Sequence, residues 1–195
     1  MAKALSVLIA DDEPIARLDL REMLESLGHS VVAEASDGDS ALRLARELRP
    51  HVAILDIRMP GLDGLEVART LAEERIAPTL ILSAYTDQEY IERSKESGCL
   101  CYLVKPFRVS DLEPALIMTV ALADRLNSLQ GELEGLQDAL ATRKAVERAK
   151  GVLMDRHHLK EHEAFRRIQV ESMNSRRTMR EVAEDMLKAA GAPAK

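Results

Sequence analysis

Residues 51–64 read HVAILDIRMPGLDG, and this stretch decides the fold of the chain. A short apolar run followed by Pro and Gly is typical of a buried strand that feeds a loop. Asp56 closes the run and is therefore predicted at the carboxyl end of that strand, which is where open α/β sheets bind ligands. An aspartate after a strand is also a common turn former or helix cap. The rest of the chain has to decide between these roles.

The size and composition of the chain narrow its class. Its 195 residues suffice for one ordinary domain and a smaller second one. It contains two cysteines, Cys99 and Cys101, and neither a signal peptide nor an apolar run of membrane-spanning length. We expect a soluble, cytoplasmic protein with no membrane partner. The Cys-x-Cys pair is expected to be structural, because no second pair of metal ligands lies near it.

The net charge of -6 is unevenly distributed along the chain. Residues 143–181 contain eleven Lys and Arg against six Asp and Glu, whereas residues 1–142 are strongly acidic. A basic segment behind an acidic domain indicates a polyanion as the partner of the second part, although a solvated helical face gives the same pattern. The uneven charge also suggests that the acidic part shields the basic part before activation.

Five strand-like runs alternate with helical patterns before residue 121. The strands are predicted at 6–10, 31–35, 52–56, 79–84 and 101–105, and the helices are predicted to begin near Pro14, Gly38, Asp63, Asp87 and Ser110. Strands separated by helices of this length form right-handed βαβ crossovers, which make a parallel sheet covered on both faces. The predicted fold class is therefore α/β, with a doubly wound five-stranded sheet.

Chemically useful side chains follow four of the predicted strands. They are Asp11-Asp12-Glu13, Asp56, Ser83 and Lys105. In a parallel sheet these strand ends share one edge, where crowded carboxylates repel each other unless a cation neutralises them. Oxygen ligands in a shallow site favour Mg²⁺. A hydroxyl and an ammonium are suited to the oxygens of a phosphoryl group on Asp56, so the set predicts a phosphoryl-accepting carboxylate.

Residues 5–121 resemble the receiver domain of bacterial two-component response regulators. The resemblance is carried by Asp11-Asp12, Asp56 with Met59-Pro60-Gly61 and Asp63-Gly64, Ser83-Ala84, and Tyr102 three residues before Lys105-Pro106. It implies the strand order 2-1-3-4-5 and a cis Lys105-Pro106 bond. It also implies that a cognate histidine kinase phosphorylates Asp56.

The same resemblance implies a set of metal ligands. Asp12, Asp56 and the backbone carbonyl of Arg58 would bind Mg²⁺ directly, and Asp11 would assist through water.

The chain is not expected to be an enzyme, apart from a slow loss of its own phosphoryl group. A phosphatase of the haloacid dehalogenase type would need a general acid two residues after the nucleophile, and Arg58 stands there.

Three further residues receive roles from the resemblance. Lys105 would bind phosphoryl oxygens, and Ser83 and Tyr102 would form the switch pair that responds to phosphorylation. Taken singly, each has a plainer explanation as a surface lysine, a strand-end hydroxyl or an aromatic at the edge of the core. The bulk of Arg58 and Tyr85 is predicted to slow hydrolysis of the phosphorylated form.

A leucine repeat continues the last helix of the first domain. The leucines follow one another at spacings of 4, 3, 4, 3 and 4, at Leu122, Leu126, Leu129, Leu133, Leu136 and Leu140. This heptad seam predicts a coiled coil of two copies that fails at Arg143. The competing interpretation is a single amphipathic helix that folds back on its own chain. Gly131 and Gly135 lie off the seam and leave a place where the helix can bend.

Three amphipathic segments follow, at residues 143–156, near 160–172 and at 178–190. Their apolar residues are predicted to form a small three-helix core, in which we place Phe165. Residues 133–190 resemble the ANTAR domain, an all-helical RNA-binding module of transcription antiterminators. The matching residues are Ala149-Lys150-Gly151-Val152-Leu153-Met154, Glu163-Ala164-Phe165 with Ile168, Ser172-Met173, and Thr178 with Val182-Ala183.

The two resemblances together imply a mechanism. Phosphorylation of Asp56 would favour a homodimer whose helical modules hold RNA hairpin loops and so prevent a terminator. The candidate RNA contacts, chosen on charge alone, are Arg148, Lys150, Arg176, Arg177 and Arg180. The predicted domains are a receiver at 1–121, a coiled-coil linker at 122–142 and an ANTAR-like domain at 143–195. The alternative is a response regulator whose C-terminal helices bind DNA or a protein partner.

Overall fold

The computed structural model describes residues 4–84 and 98–190. The chain divides into two compact units, with the boundary between Asn127 and Ser128. This boundary falls inside the segment 122–142, and the three-part division at residues 121 and 142 stays a prediction. Within the described ranges, no helix has both the length and the apolar character needed to cross a membrane.

The first unit contains a five-stranded parallel sheet. Its strands are β1 (Ser6–Ala10), β2 (Ser30–Ala35), β3 (Val52–Asp56), β4 (Thr79–Ser83) and β5 (Cys101–Val104). The strand order β2-β1-β3-β4-β5 confirms the predicted topology. Strands β3 and β4 are buried along their whole length, as expected for central strands of a sheet that is covered on both faces.

Three helices of this unit begin where local chemistry favours a helix start. They are α1 (Pro14–Ser26), α2 (Gly38–Leu48) and α3 (Gly64–Glu73). Pro14 occupies the first turn of α1. Asp63 caps α3, because its side chain accepts a hydrogen bond from the Glu66 amide at 2.8 Å while the Glu66 carboxylate accepts one from the Asp63 amide at 3.1 Å. The helix predicted near Asp87 lies outside the described residues.

Two apolar layers cover the two faces of the sheet. Alternate residues of one strand enter different layers, so that Leu55 packs beneath α2 and α3 while Ile54 packs beneath α1 and the start of α4 (Val109–His157). Because both layers bury the strands, the polar residues of the sheet collect at its exposed carboxyl edge. The doubly wound prediction is confirmed.

Helix α4 runs without a break through the whole leucine repeat and beyond it. It does not end at Arg143, where the repeat stops, but continues to His157. The six leucines of the seam are between 40% and 70% exposed. The described part of this chain therefore leaves the seam largely uncovered, and the pairing of two copies stays a prediction.

The second unit is a small helical bundle. The C-terminal part of α4 packs with α5 (Glu161–Ser175) and α6 (Met179–Ala189). The buried core consists of Ala145, Val146, Ala149, Leu153, Ala164, Ile168, Val182, Ala183 and Leu187. The prediction of a three-helix core is confirmed, but the placement of Phe165 in it is wrong. Ala164 and Ile168 lie on the buried side of α5. Phe165 follows Ala164 and is rotated by about 100° round the helix from it, so it lies off the buried side and is 42% exposed.

Candidate functional site

A cavity of about 370 Å³ opens at the carboxyl edge of the sheet. The residues that line it come from the ends of β1, β3, β4 and β5, and they are Asp11, Asp12, Glu13, Asp56, Ile57, Arg58, Ser83, Ala84 and Lys105. The structure thus brings together the predicted phosphoryl-site residues, with the exception of Tyr102. Ile57 was not identified as a lining residue from the sequence, since nothing in its chemistry marks it, and Ala84 was quoted only as part of the Ser83-Ala84 motif.

The Lys105 ammonium lies between two buried carboxylates in this cavity. Its Nζ donates to Asp11 Oδ2 at 2.6 Å and to Asp56 Oδ1 at 2.5 Å. Asp11 and Asp56 are 2% and 8% exposed. Lys105 follows β5 and its amide donates to the Ser83 carbonyl at 2.8 Å, and the bond to Pro106 is cis as predicted. The two acids and the base form a charge-assisted cluster at the edge of the sheet.

Burial and charge act against each other on Asp56. Burial raises the pKa of the Asp56 carboxyl, and the nearby Asp11 raises it further, whereas Lys105 and the Arg58 amide lower it. The net direction is upward, because burial is the largest of these effects. Burial also lowers the pKa of Lys105, but its hydrogen bonds to Asp11 and Asp56 outweigh that effect and the pKa is raised. Lys105 therefore stays cationic, and it stabilises the charged form of a carboxylate that burial disfavours.

The backbone around Asp56 is fixed by close packing with the start of α3. The Arg58 amide donates to Asp56 Oδ2 at 2.7 Å, and the Gly64 amide donates to the Ile57 carbonyl at 3.0 Å. A Cβ at position 64 would lie only 2.0 Å from the Asp56 carbonyl oxygen. Gly64 is therefore a positioning residue for Asp56 that sequence reasoning did not identify, although it lies in the quoted Asp63-Gly64 motif.

The loop between β3 and α3 also interlocks with the start of α2. The Gly38 amide donates to the Pro60 carbonyl at 3.1 Å, and a Cβ on Gly38 would lie 1.9 Å from the Leu62 carbonyl oxygen. Gly61 has φ +76°, and a Cβ there would lie 2.2 Å from Asp39 Oδ2. The loop that follows Asp56 and the first turn of α2 are thus packed at backbone distance.

The oxygen donors around the cavity fit the ligand chemistry of Mg²⁺. Asp11 Oδ1 accepts from the Glu13 amide at 2.9 Å, which leaves its other oxygen to Lys105. Asp12 is exposed and lines the same cavity. In residues 4–84 and 98–190, no three acidic, histidine or cysteine side chains converge into a ready-made metal cluster. Few carboxylates and many waters are what Mg²⁺ usually takes, so the donor set is suitable.

The predicted switch pair occupies two different environments. Ser83 is 1% exposed at the end of β4 and lines the cavity. Tyr102 stands opposite Ile81 on β5, is half-buried, and packs against the apolar layer beneath α2 and α3. Tyr102 therefore does not line the cavity in this structure. Tyr85, which was predicted to slow hydrolysis, lies outside the described residues.

Among the candidate RNA contacts, Lys150 is set apart by its burial. The residue is 7% exposed, and its ammonium donates to Glu147 at 2.9 Å and to Glu161 at 2.7 Å. The hydrogen bonds with Glu161 and then with Glu147 raise the pKa of Lys150. Lys150 thus connects α4 to the first turn of α5, a role that charge counting could not reveal.

The four arginine candidates are more exposed but differ in their partners. Arg177 pairs with Asp185 at 2.8 Å, and Arg180 pairs with Glu184 and Asp138, each at 2.8 Å. Arg148 is exposed and also makes an interaction within the protein. The Arg176 guanidinium makes no hydrogen bond or ion pair with the residues that the structure describes. The exposed positive charge is therefore less than the sequence total suggests.

Two families match the chain. The family described as response regulator receiver domain matches residues 7–117, and the ANTAR domain family matches residues 134–187. The first match covers the sheet and the cavity, and the second covers the helical bundle.

Individual relatives agree with this division. The transcriptional regulatory protein PdtaR of Mycobacterium tuberculosis is 44% identical over 187 residues, which is 96% of this chain and 91% of that protein. The positive alginate biosynthesis regulatory protein of Pseudomonas aeruginosa is 45% identical over 114 residues, 57% of this chain and 46% of that protein. The receiver domain of a modulated diguanylate cyclase from Desulfovibrio desulfuricans has a TM-score of 0.59 and 34% identity, and the match covers 63% of this chain and 98% of that one.

Proposed function

This chain belongs to the response regulators that join a receiver domain to an ANTAR domain, and we propose that phosphorylation of Asp56 controls its RNA binding. Its role is that of an RNA-binding transcription antiterminator. Receiver domains pair with histidine kinases, and ANTAR domains bind RNA. The finer assignments concern which residues accept the phosphoryl group, which bind the metal, and which carry the change to the helices.

The position of Lys105 between Asp11 and Asp56 is the observation on which the phosphorylation proposal depends. In the transfer, an Asp56 carboxylate oxygen attacks the phosphorus of the kinase phosphohistidine. The P–N bond breaks, its electron pair stays on the imidazole, and an acyl phosphate forms on Asp56. Lys105 lies within hydrogen-bond reach of the Asp56 carboxylate, so its ammonium can bind the oxygens of the arriving group.

Receiver domains generally bind Mg²⁺ at the phosphorylation site, and we assign its ligands here to Asp12, Asp56 and the Arg58 carbonyl, with Asp11 through water. When bound by these residues, the ion would supply positive charge beside the phosphoryl group. Asp12 is exposed at the cavity and is the one of these acids with a solvated side chain. We expect the D12N variant to lose most of the Mg²⁺ affinity while it keeps the Lys105 cluster intact, which isothermal titration at fixed pH measures.

Ser83 and Tyr102 are proposed to carry the response away from the cavity. Ser83 lines the cavity and is proposed to contact a phosphoryl group on Asp56, whereas Tyr102 lies half-buried on the next strand, β5. The bulk of Arg58 and Tyr85 is proposed to limit the access of water to the acyl phosphate. An R58N/Y85A double variant should lose its phosphoryl group faster than the parent, and an unchanged lifetime would remove this part of the proposal.

Phosphorylation is proposed to favour a homodimer through the exposed leucine seam of α4. Two copies that pair along this seam would present two helical bundles to paired RNA hairpins. Binding of these hairpins would prevent a terminator hairpin from forming, so that polymerase continues transcription. We propose that this RNA binding takes place in the cytoplasm, where transcript and polymerase meet. Arg148, Arg176, Arg177 and Arg180 remain proposed RNA contacts, with Lys150 assisting from its buried position.

A mobility-shift experiment with the full chain tests the proposal. Hairpin RNA and duplex DNA are each incubated with the protein in Mg²⁺, with and without beryllium fluoride as a phosphoryl mimic. We expect the mimic to strengthen binding of hairpin RNA and to leave duplex DNA unbound. The D56N variant should show no response to the mimic, because it lacks the oxygen that the mimic binds.

The matched control is D19N, which removes an exposed aspartate of α1 outside the cavity. It should respond to the mimic as the parent does. Binding of duplex DNA in preference to hairpin RNA would instead support the DNA-binding alternative. A D56N variant that still accepts phosphate from a kinase and still captures RNA would overturn the proposal.

A further inference from the structure

Helix α5 presents an aromatic ring and a long apolar side chain to solvent. Phe165 is 42% exposed and Met173 is 72% exposed. Phe165, Gln169 and Met173 follow one another at intervals of four residues, so they lie along one side of the helix, and Arg176 follows the last turn as the C-terminal cap. We call these four residues the α5 row.

The charge next to the α5 row is positive and uncompensated. Arg166 lies beside Phe165, and neither Arg166 nor Arg176 makes a side-chain hydrogen bond or ion pair with a residue in the described part of the chain. The helix also contains three glutamates, but two of them are engaged elsewhere: Glu161 binds Lys150, and Glu163 accepts from the Lys160 amide. The third, Glu171, lies about 120° away from Phe165 round the helix.

We propose that the α5 row is the surface on which unpaired bases of an RNA hairpin loop lie. Phe165 stacks on one base, Arg166 and Arg176 bind two phosphates that are not neighbours in the strand, since ten residues of helix span about 15 Å, and the Gln169 amide reaches a base edge. Proteins read hairpin loops through bases that are splayed out and stacked on aromatic or guanidinium planes. This inference rests on the proposed RNA-binding function and deepens it, because it names the surface and the part of the RNA that is read.

A second copy of the chain fits this surface less well than RNA does. A symmetric contact of the α5 row with itself would bring Arg166 and Arg176 close to the same arginines of the other copy, and these like charges would repel. A polyanion neutralises them. An exposed aromatic ring on a helix with uncompensated cations is therefore complementary to a nucleic acid strand.

The larger groove of the bundle is less complementary to RNA. It has a volume of about 810 Å³, lies between α4 and α6, and has an apolar floor that includes Leu140 and Leu187. Its lining contains Glu147 and Glu184 beside five basic residues, and one of these, Arg180, already pairs with Glu184 and Asp138. Positive charge at this groove is partly neutralised by the protein, whereas the acid in line with the α5 row, Glu161, is already paired with Lys150.

The test uses the full chain with Mg²⁺ and beryllium fluoride. The probe is a pool of fluorescent RNA hairpins with one fixed stem and a randomised loop, enriched on the parent protein. Fluorescence anisotropy gives the Kd of each variant. We expect F165L to weaken binding by about fivefold to a hundredfold, because it removes the ring but keeps an apolar side chain. F165Y keeps the ring and should bind within about twofold of the parent.

The control is V170A, which shortens a side chain of similar exposure, 45%, on another side of the same helix. It should leave the Kd unchanged. R166Q and R176Q should each reduce the slope of log Kd against log salt by about 0.7 to 0.9. Circular dichroism melting of F165L should match that of the parent, which separates loss of contact from loss of fold.

The outcomes separate this inference from the function on which it rests. If the parent binds no hairpin, the proposed function is wrong. If the parent binds and F165L binds equally well, or V170A weakens binding as much as F165L does, the α5 row is not the RNA surface. If F165L changes the mass in sedimentation but not the RNA affinity, the occupant is a second copy and the inference is overturned.

Discussion

Alanine at position 64 and alanine at position 131 are predicted to change stability in opposite directions. A Cβ on Gly64 would lie 2.0 Å from the Asp56 carbonyl oxygen and 2.9 Å from its carbonyl carbon. Real Cβ contacts are essentially never closer than 3.0 Å, so α3 and the end of β3 must separate by at least 1 Å. A Cβ on Gly131 meets nothing within 4 Å.

The magnitudes follow from these two environments. The separation at Gly64 moves Leu65, Val67 and Leu71 of α3 in a closely packed layer, and overpacking of this kind costs about 1–3 kcal/mol. Alanine at Gly131 lies in an exposed part of α4 and is expected to stabilise the helix by about 1 kcal/mol. The G64A variant should also accept the phosphoryl group more slowly, because Asp56 is displaced relative to Lys105.

Urea unfolding separates the two effects. The chain has no Trp, and its three tyrosines all precede residue 127, so tyrosine fluorescence reports on the first unit. Far-UV circular dichroism also reports on the helices of the second unit. We expect the midpoint of the fluorescence transition to fall in G64A and to stay constant in G131A. In G131A the midpoint of the dichroism transition of the second unit should rise. The reasoning is refuted if G64A unfolds at the same urea concentration as the parent and is phosphorylated at the same rate.

Three further predictions concern charge and capping. Burial raises the pKa of the Asp56 carboxyl, so the contribution of Asp56 to stability is fully present below its ordinary pKa of 3.8 and is lost as the pH rises through the raised pKa. In thermal melts, D56N should therefore be more stable than the parent at pH 7 and equal to it near pH 3.5. T178A removes the hydroxyl that accepts from the Glu181 amide at 3.2 Å and should cost the helical unit about 1 kcal/mol in urea unfolding, whereas T178S should cost little. K150M removes the ammonium between Glu147 and Glu161 and should lower the melting temperature of the helical unit at low salt, with a smaller effect in 1 M NaCl. A loss of the same size at both salt concentrations would show that packing of the lysine stem matters more than the ion pairs.

The sheet and its polar edge were predictable because both follow from local patterns. Buried central strands read as nearly continuous apolar runs, as in residues 52–56 and 79–83, and the residues that end these runs lie at the same edge of the sheet. Asp56, Ser83 and Lys105 were therefore placed correctly without knowledge of any contact. Their mutual geometry was not predictable, since the hydrogen bonds of Lys105 to Asp11 and Asp56 join residues 94 and 49 positions apart.

The helical tail was predicted less well, for a physical reason. Small amphipathic helices have few apolar residues, and one helix position decides whether a side chain enters the core. Phe165 was assigned to the core on its chemistry, but Ala164 and Ile168 take the buried side of α5. Lys150 was assigned to the surface on its charge, but the packing of α4 against α5 buries it between two glutamates. The burial of these side chains depends on how the helices pack against one another, and the periodicity of a single segment does not predict that packing.

The close approach between the β3–α3 loop and the first turn of α2 affects how this domain can be rebuilt. A Cβ on Gly38 would collide with the Leu62 carbonyl of the loop, and a Cβ on Gly61 would meet the Asp39 carboxylate of α2, so each segment fills space next to the other. A chimera that grafts the loop of a different regulator onto this scaffold should fail unless it imports the beginning of α2 as well. The two segments form one structural piece, although 21 residues of chain lie between Gly38 and Pro60.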